Sequence, residues 1–111
     1  MDDGATPFYI ACDQGHVDVV QLLLEDGGCD RNKAMDDGRT PLFIACGQGH
    51  VDVVRVLVEA GGCDTNQATD DGRTPLGAAA ANGQDSCVEI LLAVPGINVN
   101  HANDSGDNMH Y

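Results

Sequence analysis

Residues 36–69 read DDGRTPLFIACGQGHVDVVRVLVEAGGCDTNQAT. Thr40 precedes Pro41 and an apolar run. Threonine caps helix N-termini well, and proline is favoured at the first helical position, where its missing N–H would have no partner anyway. The spacing predicts a short helix over Pro41–Gln48, closed at Gly49 by a left-handed glycine. A second helix is predicted over Val51–Ala60, with Asp52 at the positive end of its dipole. Val53, Val54, Val56, Leu57 and Val58 are too many apolar residues for a helix with one wet face, so this helix packs on more than one side. It stops at Gly61. The stretch GGCDTNQATDDG then forms an extended, hairpin-like loop with Asp70-Asp71-Gly72 at its tip.

The same unit recurs on either side. Residues 2–35 read DDGATPFYIACDQGHVDVVQLLLEDGGCDRNKAM and match 36–69 at 23 of 34 positions. Residues 70–103, DDGRTPLGAAAANGQDSCVEILLAVPGINVNHAN, hold the register with more divergence. A fourth unit starts at Asp104-Ser105-Gly106 and is truncated within 104–111. Thr6 and Thr74 repeat the Thr-Pro start. Gly15 and Gly83 repeat the first stop, while Gly27 and the Pro95-Gly96 turn repeat the second. A 34-residue period kept three times implies one all-α domain over 1–111, a solenoid of stacked helix-turn-helix units.

In this chain Gly38, Thr40, Pro41, Leu42 and Ala45, then Gly49-His50, Val53, Val54, Leu57, Gly61 and Asn66, form a pattern that resembles the ankyrin repeat. The resemblance covers residues 2 to about 103 and implies an ankyrin-repeat solenoid whose neighbouring units supply each helix's second dry face. It also implies that loop tips and first helices form a concave, partner-binding surface. The chain departs from the family in three ways. The Gly-Gly-Cys-Asp and Pro-Gly-Ile-Asn stretches each carry one residue beyond the usual period, which is expected to bulge the loop after the second helix. Tyr9, Phe43 and Gly77 stand where the family carries histidine, so that residue's loop hydrogen bonds must be missing or remade. Gln84 replaces the histidine of Gly-His.

Composition narrows the function. Eighteen Asp and Glu against five Lys and Arg give a formal charge of −13. Such a surface repels phosphate backbones and anionic lipid, which argues against nucleic-acid and membrane roles; it suits a basic partner, or serves solubility alone. There is no apolar run long enough to span a bilayer, and the acidic start Met1-Asp2-Asp3 does not read as a signal peptide. Five cysteines without ligand spacing read as reduced thiols in an intracellular, cytoplasmic setting. Asn103-Asp104-Ser105 is a formal glycosylation sequon, discounted in that setting.

No constellation reads as catalytic or cofactor-binding. His16 and His50, one repeat apart at roughly 10 Å, cannot share a metal with ~2.0 Å bonds. Cys12, Cys46 and Cys87 fall in apolar helix slots and read as small buried hydrophobes. Cys29 and Cys63 lie in the inserted loop and are expected to be more exposed. Asp2-Asp3, Asp36-Asp37 and Asp70-Asp71 form an acidic ladder of turn tips, without the alternating oxygen ligands of a calcium loop. Serine occurs only at 86 and 105, with no base in a repeated pairing, so no enzyme or metal function is expected.

What remains is protein binding. Carried over from the resemblance, the partner-facing positions are Asp36, Asp37, Arg39, Ile44 and Gln48 in the second unit, and Asp70, Asp71, Arg73, Ala78 and Asn82 in the third. Gly47 and Ala81 belong to the same rows, as do Asp2, Asp3, Ala5, Ile10, Asp13 and Gln14 in the first unit. A mostly acidic edge with two positive spots calls for a partner carrying Lys or Arg. The competing reading is a structural segment of a longer array. Phe8, Tyr9 and Ile10 lack a polar capping helix, and the truncated fourth unit leaves the other end open. Both ends would then expose apolar surface and allow end-to-end self-association.

Overall fold

The computed structural model describes residues 4–27 and 30–99. Six helices follow in chain order: α1 (Pro7–Gln14), α2 (Val17–Asp26), α3 (Pro41–Gln48), α4 (Val51–Ala60), α5 (Pro75–Ala81) and α6 (Asp85–Leu92). They form three antiparallel hairpins, α1–α2, α3–α4 and α5–α6. First helices pack on first helices (α1 on α3, α3 on α5) and second on second (α2 on α4, α4 on α6). The architecture is the all-α stack expected, with no strand among the described residues.

The local chemistry is that of the sequence pattern. The hydroxyls of Thr6, Thr40 and Thr74 accept from the backbone N–H groups of Tyr9, Phe43 and Gly77, each at 3.1 Å. Every first helix therefore starts on a side-chain cap followed by proline. At its end, the Gly49 N–H donates to Cys46 and the His50 N–H to Ala45, with Gly49 at φ +80°. This is the double closure made around a left-handed glycine. The third unit differs by one residue: α5 ends at Ala81 with Asn82 as its cap, although Gly83 and Gln84 make the corresponding bonds to Ala80 and Ala79. Helix ends fray by a residue when the closing turn is tight.

Stacking is visible in how one slot changes from unit to unit. Val19 is 44% exposed, whereas its equivalents Val53 and Cys87 are 1% and 0% exposed. That slot faces the preceding unit. The slot of Val20 and Val54 is fully buried in the first two units, but Val88 is only half-buried; it faces the following one. Ala11, Ala45 and Ala79 are buried throughout, and their small side chains let the first helices approach closely.

Polar rows reinforce the stack. The Asn32 amide donates to the Gly62 carbonyl at 2.8 Å and accepts from the Asp64 N–H at 2.8 Å. Asn66 repeats both bonds one unit on, to Gly96 and from Asn98. Gly61 and Gly62 both have positive φ, which is how the extra residue is absorbed. Instead of a loose bulge, the inserted carbonyls become acceptors for Arg31 and Asn32 of the preceding loop. The His50 ring bonds the Asp13 carbonyl at 2.8 Å, and Gln84 donates to the equivalent Gly47 carbonyl at 3.4 Å. Gln84 thus takes over the histidine's inter-unit bond at greater length.

One end-face expectation needs correction. Phe8 and Tyr9 are buried, at 2% and 4% exposure, because their slot neighbours Leu42 and Phe43 also point into the stack; of that trio only Ile10 is exposed. The truncated fourth unit, residues 104–111, lies outside the described residues, as do Asp2, Asp3 and Cys29. Cys63 is half-buried, more exposed than the buried Cys12, Cys46 and Cys87, as expected.

Candidate functional site

The second and third loop tips are three-residue turns closed on themselves. The Met35 carbonyl accepts from the Gly38 N–H and the Met35 N–H donates to the Arg39 carbonyl, both at 2.9 Å, with Gly38 at φ +89°. The next tip repeats this from Thr69 to Arg73. The two tips are joined by the Asp70 N–H donating to the Asp37 carbonyl at 3.0 Å. The acidic ladder is therefore a backbone-linked row.

The two positive spots are largely committed. Arg39 pairs with Asp37 at 2.7 Å and Arg73 with Asp71 at 3.2 Å. Asp71 also accepts from the Thr69 hydroxyl. That hydroxyl, and the Arg73 guanidinium beside it, hold the Asp71 carboxyl below the usual carboxylate value. The tip therefore stays anionic at lower pH than a free aspartate would. Among the described residues neither Asp36 nor Asp70 has a cationic partner, so they carry the uncompensated charge of the edge.

Below the tips lies a groove of about 350 Å³ lined by Arg39, Phe43, Ile44, Gly47, Gln48, Arg73, Ala78 and Asn82. A second hollow of about 200 Å³, lined by Asp37, Arg39, Thr69, Asp70, Asp71 and Arg73, opens beside it. The two share both arginines. Of Asp36, Asp37, Arg39, Ile44, Gln48, Asp70, Asp71, Arg73, Ala78 and Asn82, all but Asp36 line one or the other, and Asp36 is exposed on its tip; Ala81 and the described first-unit positions Ala5, Ile10, Asp13 and Gln14 line neither. Ala78 is 5% exposed and serves as groove wall rather than as a projecting contact. Gln48 donates to the Asp13 carboxylate and Asn82 to the Gly47 carbonyl at 2.9 Å, so both also brace the stack.

Phe43 is the site residue missed from sequence. It fills the slot where the resemblance calls for histidine, and the Arg73 guanidinium sits over its ring, 5.4 Å from the centroid. A cation over an aromatic face is held electrostatically. Within the third tip, Thr69 accepts from the Arg73 N–H at 3.1 Å. The missed signal was an arginine at the second and third tips, each 30 residues after an aromatic, Tyr9 and Phe43.

No group of three or more His, Cys, Asp or Glu among the described residues could hold a metal ion, and none of their helices is long and apolar enough to cross a membrane. Cys12, Cys46 and Cys87 are buried. Burial, and then the neighbouring Cys87, push the Cys46 thiol well up; burial alone raises Cys87. In the unfolded chain both thiols ionise in the ordinary range, while the folded state keeps them protonated. Their contribution is complete below that range and is lost progressively as pH rises from it towards the raised folded-state values. Urea midpoints should fall between about pH 8 and pH 10. The fall should be smaller in a Cys46→Ala, Cys87→Val variant, whose residues copy the equivalent slots at Ala80 and Val53. An equal fall in both proteins would rule these thiols out as its source.

A row of stacked helical hairpins with bonded tips over a lined groove defines a solenoid repeat protein that presents an extended face. The family model of ankyrin repeats matches residues 10–104 in three copies, and the chain belongs to that family. No curated protein matches the chain. Ankyrin repeats generally serve as protein–protein interaction modules, and the family is typically non-enzymatic.

Proposed function

We propose that this chain binds a protein partner through the face formed by its loop tips and first helices, centred on the junction of the second and third units. The partner carries lysine or arginine opposite Asp36, Asp37, Asp70 and Asp71. It sets an apolar side chain against Phe43, Ile44 and Ala78, between Arg39 and Arg73 on one side and Gln48 and Asn82 on the other. The observation that supports this reading is the meeting of an acidic rim with a partly apolar groove. Interfaces of this kind combine a desolvated centre with charged surroundings that steer encounter. The buried thiols suit a reducing, cytoplasmic setting.

A random peptide library displayed against the wild-type chain tests it. Enriched peptides should be basic with an embedded apolar residue. Their affinity should fall about tenfold or more between low and high salt, because exposed charge pairs are screened beyond roughly a Debye length. A variant with all four tip aspartates changed to lysine should lose them. Peptides selected without basic residues, or bound equally by the charge-reversed variant, would refute the reading.

A further inference from the structure

The N-terminal end of the stack is an apolar face built like the inside of a repeat junction. Val19 and Leu22 on α2 are 44% and 66% exposed, and Ile10 on α1 is 49% exposed. Beside them a hollow of about 220 Å³ is lined by Thr6, Pro7, Phe8, Leu23 and Asp30. The Thr6, Pro7 and Leu23 slots are closed in the later units. Thr40 and Thr74 are each 2% exposed, Leu57 and Leu91 are 0%, and Pro41 and Pro75 are fully buried. What closes them is always the far side of the preceding hairpin. The far side of the third hairpin is itself open among the described residues, with Leu92 52% exposed and Val88 half-buried.

We propose that a second copy of this chain stacks head to tail on this face, its α5–α6 hairpin taking the place that α1–α2 takes against α3–α4. This goes beyond the partner-binding reading and uses a different surface. The argument is continuity: the N-terminal face repeats a surface that this protein already buries twice, and the complementary surface stands at its other end. A contact between unlike faces does not close on itself, so association continues past the dimer as concentration rises. Charge opposes it. The chain carries −13, with Asp18, Glu25 and Asp30 on the first unit and Asp85 and Glu89 on α6. Salt screens that repulsion and strengthens the contact. The salt dependence is therefore opposite to that of the acidic-edge partner, and the two proposals can fail independently.

Sedimentation equilibrium on the full chain, from about 10 µM to about 1 mM, at low and high salt, tests it. The wild type should pass from one chain per particle towards two and more, with the shift at several-fold lower concentration in high salt. Val19→Glu and Leu92→Glu should each remain monomeric alone, with circular dichroism reporting the native helix content. Mixed in equal amounts they should form a dimer and nothing larger, since one keeps an intact C-terminal face and the other an intact N-terminal face. A wild type that stays monomeric throughout overturns the proposal. So does self-association of Leu92→Glu alone, which would mean that like faces pair.

Discussion

Leu57→Ala lowers stability by about 2–5 kcal/mol, and Leu23→Ala, the same substitution in the same slot one unit earlier, by at least ~1 kcal/mol less. Leu57 is fully buried between the first and third units, while Leu23 is half-buried at the open end. Removing three side-chain carbons from a closed slot leaves a cavity as well as lost transfer free energy. At the open end, solvent and neighbouring side chains can move into the space. Total stability for a chain of this length is about 5–15 kcal/mol, so Leu57→Ala should remove a large share of it. Urea unfolding followed by helix content gives both values. Equal losses at the two positions would mean that the units do not bury one another's second helices, and the stacked-core description would be wrong.

That comparison also separates what was legible in the sequence from what was not. The Thr-Pro starts and glycine stops each act within one turn of helix, so α3 and α4 could be bounded to the residue. The fold followed from the apolar surplus on α4, which needs two dry sides. Phe8 and Tyr9 were misread because an apolar residue at the end of a stack was taken to face outward. Their slot equivalents Leu42 and Phe43 lie inside the hairpin, so the same periodicity could have placed them. The candidate site was legible in its residue list and not in its pairings. Asp and Arg recur at the second and third tips, but whether an arginine is offered to a partner depends on where its side chain turns. Arg73 turns onto Asp71 and over Phe43, and no single-repeat pattern records a contact between units. Gln84 is an intermediate case: its position identified it as the histidine substitute, and only coordinates gave it the longer bond to Gly47.

Gly38→Ala is expected to destabilise the chain by about 2–5 kcal/mol and to disorganise the tip row at the same time. Two effects add. Gly38 sits at φ +89°, where a side chain is strained by about 1–2 kcal/mol. A Cβ there would also lie 2.7 Å from the Asp70 backbone nitrogen and 3.0 Å from the Thr69 Cα. Those neighbours are main chain of the next tip, not the end of a flexible side chain, so one tip must move away from the other, at a further cost of about 1–3 kcal/mol. The bond that such movement breaks is the one from Asp70 N–H to the Asp37 carbonyl. Gly83→Ala is the control: its φ is +70°, and among the described residues nothing lies within 4 Å of the added carbon. It should show the backbone strain alone. If the excess of Gly38→Ala over Gly83→Ala is real, amide exchange at Asp70 should speed up in the first variant and stay unchanged in the second. Affinity for basic peptides should fall with it, because Asp37 and Asp70 would no longer be held in one row. Equal stability losses in the two variants, with Asp70 still protected, would mean that the tips are not mechanically linked and that the acidic edge is a set of independent turns.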